Sequence, residues 1–98
     1  MNLPIVFQEG VRGEIDEAYA WYEEQRQGLG EEFLSEVQRA LDRIEQNPGI
    51  HAPIYQTVRH ARMKRFAYAA YYRLETDRIV VIAVHHVKRD PKRWQSRA

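Results

Sequence analysis

The sequence predicts an α+β fold: a small antiparallel β-sheet with an N-terminal two-helix hairpin packed on one face, in the order β-α-α-β-β-β, and a short basic C-terminal helix. Three observations predict it. Residues 11–44 carry apolar side chains at spacings of three and four, residues 64–75 alternate with a period of two, and residues 79–84 are all apolar. The length of 98 residues, 44% of them hydrophobic, suffices for one compact domain over residues 1–98.

The first half of the chain supplies a strand and the two helices. The segment "PIVFQ" (4–8) predicts a short strand. The first helix has an apolar face made by Val11, Ile15, Ala18, Tyr19 and Tyr22. Gly28 and Gly30 end it, and the second helix runs to "NPG" (47–49) with the stripe Phe33, Leu34, Val37, Leu41 and Ile44. We expect both stripes to form core.

The second half supplies the strands of the sheet. In "KRFAYAAYYRLE" (64–75) the even positions are apolar, which predicts a face packed on the helices, while Arg65, Tyr71 and Arg73 point to an open face. "ETDR" (75–78) predicts a turn. "IVVIAV" (79–84) is apolar on both faces, as expected of a strand inside the sheet.

Charge is divided along the chain. Residues 1–50 hold 11 acidic and 4 basic residues, a net charge of −7, whereas residues 51–98 hold 3 acidic and 11 basic residues, a net charge of +8. The basic half is therefore the expected place for an anionic partner, either a nucleic acid or an acidic protein segment.

Composition excludes several classes of site. The chain has no cysteine, so neither a disulfide framework nor a zinc-thiolate site is possible. The longest apolar run, residues 79–84, is too short to span a bilayer, and the N-terminal residues resemble no export signal, so we expect neither membrane insertion nor export.

Two adjacent histidines follow the last strand. Successive strand side chains point to opposite faces, so His85 and His86 cannot both ligate one ion, and we expect neither a metal site nor a cofactor. The same alternation allows only one of them to share a face with Arg73, and parity leaves open which one. Each histidine is more simply explained as a strand residue with a satisfied hydrogen bond.

The segment after the histidines predicts the basic C-terminal helix. Asp90 can cap it and Pro91 suits its first turn. Trp94 has two interpretations: it either anchors this helix on the sheet or serves as an exposed aromatic platform. Anchoring is favoured, because one tryptophan makes a weak stacking platform.

Two long stretches resemble the RelE/ParE toxins of bacterial type II toxin-antitoxin pairs. They are "DEAYAWYEEQRQGLGEEFLSEVQRALDRIEQNPG" (16–49) and "RMKRFAYAAYYRLETDRIVVIAVHHVKRDPKRW" (62–94). The order and spacing of these motifs are similar to the family over nearly the whole chain. "WYEEQRQGLGEEF" and the Arg-Asp-Pro-Lys-Arg-Trp ending are more similar to the ParE-like branch and its plasmid-stabilisation relatives.

The resemblance implies a toxin that a cognate antitoxin binds and neutralises in the bacterial cytoplasm. Such an antitoxin, similar to ParD or RelB, has an acidic and partly disordered segment that folds on the toxin, giving a hetero-oligomer. We expect it to contact the helix hairpin and the basic sheet, through Tyr19, Tyr22, Phe33, Val37, Leu41, Arg62 and Arg73.

The ParE-like branch implies a toxin without catalytic activity of its own. Its members poison DNA gyrase by binding and leave the DNA cleavage to the gyrase. For this chain the implied target-binding residues are Arg65, Arg73, Lys88, Arg89, Lys92, Arg93 and Trp94.

Two alternatives remain open. RelE-like members cut mRNA on the ribosome, and a ribonuclease site here would use Arg62, His85, His86 and Arg89. Two departures weaken this alternative, because Ala69 stands where RelE-like toxins keep an arginine and no tyrosine follows Tyr72. The chain could also be a non-toxic module that only binds the antitoxin.

Overall fold

The computed structural model describes residues 2–98 and has the element order that the sequence predicts. The elements are β1 (Ile5–Phe7), α1 (Val11–Gln25), α2 (Leu29–Gln46), β2 (Val58–Arg62), β3 (Tyr68–Leu74), β4 (Ile79–His86) and α3 (Lys92–Gln95). The α+β class, the helix hairpin and the short C-terminal helix are therefore confirmed.

The four strands form one sheet in the order β1-β4-β3-β2. Strands β2, β3 and β4 pair antiparallel, as expected for a meander. Strand β1 differs from the expectation, because it runs parallel to β4 with Ile5 opposite Ile79. The helices carry the chain to the far edge of the sheet, and the meander then returns to β1, which makes this long parallel connection possible.

The turn between the two helices is closed by a carboxylate. Glu23 accepts hydrogen bonds from the backbone N–H groups of Gly28 and Gly30, both at 2.9 Å, and so satisfies free donors at the start of α2. Gly28 has a φ of +88°, and a Cβ on Gly30 would lie 2.8 Å from the ring of Tyr19. Both positions therefore favour glycine, for different reasons.

The main core lies between the helices and the sheet. Phe33 is fully buried there and packs against the rings of Tyr22, Phe66 and Tyr68 at centroid distances of 5.1–5.4 Å. The even positions of β3 face this core, as predicted. Leu34 does not, since it is 36% exposed on the outer surface of α2, and its assignment to the apolar stripe was wrong.

The opposite face of the sheet is covered rather than open. Tyr71 and Trp94 are 5% and 6% exposed, and their rings stack with centroids 4.6 Å apart. They belong to a second buried cluster with Val58, Ala69, Val80, Ile82 and Ala83. The expectation of an open face was wrong, because the C-terminal residues fold back over it.

Arg65 also lies elsewhere than predicted. Strand β3 begins only at Tyr68, after a turn closed by the hydrogen bond from Met63 N–H to the Tyr68 carbonyl. Arg65 lies in that turn, and its guanidinium contacts Glu32 of α2 at 2.6 Å. It therefore does not share the face of Tyr71.

A β-bulge decides how the two histidines point. Tyr71 lies opposite Ala83 and Tyr72 lies opposite Val81, so Ile82 is an extra residue that reverses the alternation after it. His85 consequently faces the side of Tyr71 and Arg73, where it is 1% exposed. His86 faces the helix side, with its ring centroid 5.4 Å from that of Tyr68.

Candidate interaction surfaces

The C-terminal residues are held by two kinds of contact. Trp94 supplies apolar burial against Tyr71, which confirms the predicted anchor. Arg97 supplies polar contacts: its guanidinium donates to the carbonyl of Ile82 at 2.9 Å and pairs with Glu14 at 2.8 Å. Asp90 contributes at the start of α3 by accepting the N–H of Lys92 at 3.0 Å. The segment that precedes and includes α3 is therefore fixed at its end.

Glu14 of α1 is the centre of this arrangement. It accepts the N–H of Val84 at 3.1 Å and the Nε2–H of His85 at 2.8 Å, besides pairing with Arg97. Burial acts to raise the pKa of Glu14, but the hydrogen bonds from His85, Arg97 and Val84 outweigh it and lower the pKa to about 2. The carboxylate is therefore ionised throughout the physiological pH range.

Four cations project from this anchored segment: Lys88, Arg89, Lys92 and Arg93, which we call the cationic segment. Within residues 2–98 none of these four side chains forms an ion pair. Arg65 and Arg73, also predicted to bind the target, are engaged by Glu32 and Glu75 respectively. Trp94 is buried on the side of α3 that faces the sheet, so it supports the segment and does not offer an exposed ring.

A groove of about 590 Å³ lies between α1 and the ends of β3 and β4. Trp21 lines it and is 57% exposed, which is unusual for so large an apolar side chain. Its other lining residues include Glu17, Glu24, Tyr22, Tyr68, His86 and Arg89. We call it the α1 groove.

The predicted antitoxin-contacting residues do not form one surface. Phe33 and Val37 are 0% and 5% exposed in the main core, so they cannot contact a partner, and that part of the prediction was wrong. Both side chains belong to the main core between the helices and the sheet. The remaining members are partly or fully exposed: Tyr19, Tyr22, Leu41, Arg62 and Arg73.

The four residues of the ribonuclease alternative are divided between the two sides of the sheet. His85 is 1% exposed and bonded to Glu14, on the face covered by Trp94. His86 and Arg89 line the α1 groove on the other side. Arg62 is exposed on β2. The prediction that these residues act as one site is therefore not supported by their placement, because no substrate phosphate could touch both histidines.

His60, which was not predicted as a site residue, stacks on the buried face of the sheet. The ring of His60 stacks on Tyr71, with centroids 5.7 Å apart and an interplanar angle of 16°. Burial lowers the pKa of His60, and the positive charges of Arg62 and His51 add to the effect, so this imidazole is neutral at pH 7.

Sequence reasoning also missed Glu14, Trp21 and Arg97. Glu14 and Arg97 looked like ordinary surface charges, because their pairing joins positions far apart in the chain. Trp21 carried a usable signal, since it lies off the apolar stripe of the first helix while being its largest apolar residue.

Residues 2–98 show neither a metal-site arrangement nor a membrane-spanning helix. No cluster of three or more histidine, aspartate or glutamate side chains there has the arrangement of a metal site. None of the helices in that range combines the length and the apolar composition that a bilayer span requires.

Comparisons with known proteins agree with this architecture. The family model described as "ParE toxin of type II toxin-antitoxin system, parDE" matches residues 5–91. Among solved structures, a chain from the "Chromosomal ParDE TA system from P. aeruginosa" superposes with a TM-score of 0.65. The identity is 14%, and the match covers 86% of this chain and 95% of that one, so it shows a shared fold. No curated protein sequence matches the chain.

Proposed function

The chain belongs to the ParE family of toxins from type II toxin-antitoxin systems, and on that premise we propose that it arrests growth by binding DNA gyrase through its cationic segment. A cognate antitoxin neutralises it by covering part of the same surface. Both partners act in the bacterial cytoplasm, where this proposal places the chain.

The observation that carries the proposal is the unpaired state of the cationic segment. Lys88, Arg89, Lys92 and Arg93 lie on one short stretch whose position is fixed by Trp94 and by the pairing of Arg97 with Glu14. Because the backbone that carries these cations is already held in place, binding loses less conformational entropy than the ordering of a mobile tail would, and this suits a specific acidic surface on a protein target. Inhibition by such binding requires no catalytic group on the toxin.

Neutralisation follows from the same charge distribution. An acidic antitoxin segment is attracted to the unpaired cations. Once bound, it covers them, so that the target can no longer contact them. The partly exposed Tyr22 and the exposed Trp21 lie close to this region along the α1 groove and add apolar contact area.

The proposal is tested by inducing the chain in bacteria without antitoxin and pulse-labelling DNA and protein synthesis. We expect DNA synthesis to fall first, with translation intact. In the variant Lys92→Ser/Arg93→Ser we expect the fall to be lost, because target contact is removed while Trp94 and Arg97 still hold the fold. Lys64→Ser, which removes an exposed cation from the turn before β3, is the matched control and should remain toxic.

The other outcomes separate the alternatives. An early fall in translation would contradict the gyrase proposal and favour the ribosome-dependent ribonuclease, with Arg62 and His86 as the first residues to change. Normal growth, with the antitoxin still bound by the purified chain, would favour the non-toxic binding module. Toxicity that survives the double substitution would exclude this part of the cationic segment as the contact surface.

A further inference from the structure

We propose that the loop between α2 and β2 is a second part of the target-binding surface, in which Ile50 and Ile54 enter an apolar pocket on the protein that the cationic segment binds. This inference rests on the proposed function, since it adds an apolar contact to the same surface. We call residues 47–57 the β2 loop. Its sequence, "NPGIHAPIYQT", contains no acidic residue.

The β2 loop presents apolar side chains to solvent. Ile50 and Ile54 are 67% and 44% exposed, and Ala52 and Pro53 between them are exposed as well. Exposed apolar residues that occur singly are normal on protein surfaces, whereas a continuous stretch more often marks an interaction site. Because both isoleucines lie outside the two buried clusters, packing within this chain does not account for them.

Hydrogen bonds hold this loop in one conformation before any partner binds. The buried hydroxyl of Tyr72 donates to the carbonyl of Pro48 at 2.6 Å. Its oxygen accepts the Nδ1–H of His51 at 3.1 Å, because the single hydroxyl proton is already donated. Arg59 donates to the carbonyls of Gly49 and His51. An ordered loop loses less conformational entropy on binding, so its two isoleucines suit a preformed pocket.

The β2 loop adjoins the cationic segment through an aromatic contact. The ring of Tyr55 meets that of Trp94 edge-on, with centroids 5.9 Å apart. Trp94 is the buried residue of α3, whose Lys92 and Arg93 belong to the cationic segment. One partner surface can therefore cover the apolar loop and the neighbouring cations together.

Positive charge also surrounds the loop itself. Burial lowers the pKa of His51, and the positive charges of Arg43 and Arg59 lower that pKa further. Within residues 2–98 neither arginine forms an ion pair; each donates to a backbone carbonyl and keeps its charge uncompensated. We therefore expect the pocket that receives the isoleucines to carry acidic side chains at its rim.

Two other occupants fit the loop less well. A second copy of this chain, facing the first across the loop, would bring the arginines and the cationic segments of both molecules together, and like charges repel. The antitoxin contacts proposed along the α1 groove involve no residue of the β2 loop. These contacts leave the loop to the target.

The test measures inhibition of purified DNA gyrase by the purified chain in a supercoiling assay. We expect Ile50→Ser/Ile54→Ser to raise the concentration needed for half-inhibition by about tenfold or more, because the apolar contact is lost. Leu34→Ser changes another exposed aliphatic residue, on α2, and is the matched control. It should change that concentration by less than about threefold. All three side chains are exposed, so we expect the variants to fold, which circular dichroism verifies.

A charge series at one position tests the acidic rim. Ile54→Lys and Ile54→Glu both remove the apolar side chain. We expect Ile54→Glu to inhibit gyrase at least about threefold less strongly than Ile54→Lys, because acidic groups on the target repel it. Equal inhibition by the two variants, or stronger inhibition by Ile54→Glu, would overturn the acidic rim.

Gyrase inhibition that survives Ile50→Ser/Ile54→Ser would overturn the proposal as a whole. If the same variant bound the antitoxin more weakly, the loop would belong to the antitoxin interface. A dimer of the unaltered chain that the double substitution dissociates would assign the loop to a second copy instead. Equal losses in the double variant and in Leu34→Ser would show that the effect is not specific to the loop.

Failure of this proposal is distinguishable from failure of the proposed function. If the unaltered chain inhibits gyrase, and Lys92→Ser/Arg93→Ser weakens the inhibition while the loop variants do not, only the role of the loop is wrong. If the unaltered chain does not inhibit gyrase, the proposed target is wrong and the role of the loop falls with it.

Discussion

The two faces of the sheet are covered in different ways. On one face, two helices of 15 and 18 residues bury a continuous apolar core. On the other, a four-residue helix and the residues around it cover a smaller cluster, with Trp94 as the large apolar contact and Arg97 as the polar one. The first face provides most of the stability, and the second positions the cationic segment.

The comparison predicts the largest loss of stability on the helix side. Phe33→Ala removes a fully buried ring that contacts three other aromatic residues, and we expect it to lower the free energy of unfolding by about 4 kcal/mol. Urea unfolding monitored by circular dichroism measures this. Leu34→Ala, the adjacent but exposed position, is the control and should cost less than about 1 kcal/mol. Equal losses would contradict the assignment of the main core.

On the opposite face, we expect Trp94→Ala to lower the free energy of unfolding by about 3 kcal/mol and to affect mainly the residues around α3. We expect the backbone amides of residues 92–98 to lose protection from hydrogen exchange while those of α2 keep theirs, because the main core does not depend on Trp94. Hydrogen exchange followed by mass spectrometry measures both segments in one experiment. Uniform loss of protection would mean that the two faces are one cooperative unit.

The smallest effect concerns the polar contact and depends on pH. The pKa of Glu14 is lower in the folded chain, about 2, than in the unfolded chain, so the unfolded state binds more protons between these values and stability falls as pH falls through them. Glu14→Gln should therefore cost about 2–3 kcal/mol at pH 7, and the difference from the unaltered chain should shrink below about pH 4.5. Urea unfolding between pH 7 and pH 2.5 measures it.

Asp16→Asn is the control for this series, since Asp16 is an exposed carboxylate on the same helix. It should change the stability by less than about 0.5 kcal/mol at any pH. A Glu14→Gln difference that stays constant from pH 7 to pH 2.5 would contradict the role of the ionised carboxylate.

The helix side of the fold was predictable from the sequence because its signals are local. Spacings of three and four located both helices, and parity located the even face of β3. Leu34 was the exception, since apolar spacing alone does not fix the width of the buried stripe. The opposite face was predicted only in part: Trp94 was expected to anchor the C-terminal helix on the sheet, but the face was expected to be open, because its cover comes from residues that return from the end of the chain.

Two backbone details account for most of the misplaced site residues. Counting parity from residue 64 assumed a straight strand, whereas the turn before Tyr68 directs Arg65 toward Glu32. Parity also left open which histidine shares the face of Arg73, and the extra residue Ile82 decides this, because it reverses the alternation so that His85 lies on that face. The count of charged residues located the basic half of the chain. Which of its cations lack an ion-pair partner depends on contacts between residues far apart in the sequence.

The pairing of Glu14 and Arg97 with β4 has a consequence for self-association. β1 pairs with β4 only as far as Val81, so residues beyond it lie at an edge of the sheet, where exposed backbone groups can recruit strands from other molecules. Glu14 occupies the N–H of Val84 and Arg97 occupies the carbonyl of Ile82. Two side chains thereby occupy backbone groups that an added strand would need, so we expect this edge to resist the templated addition of a foreign strand.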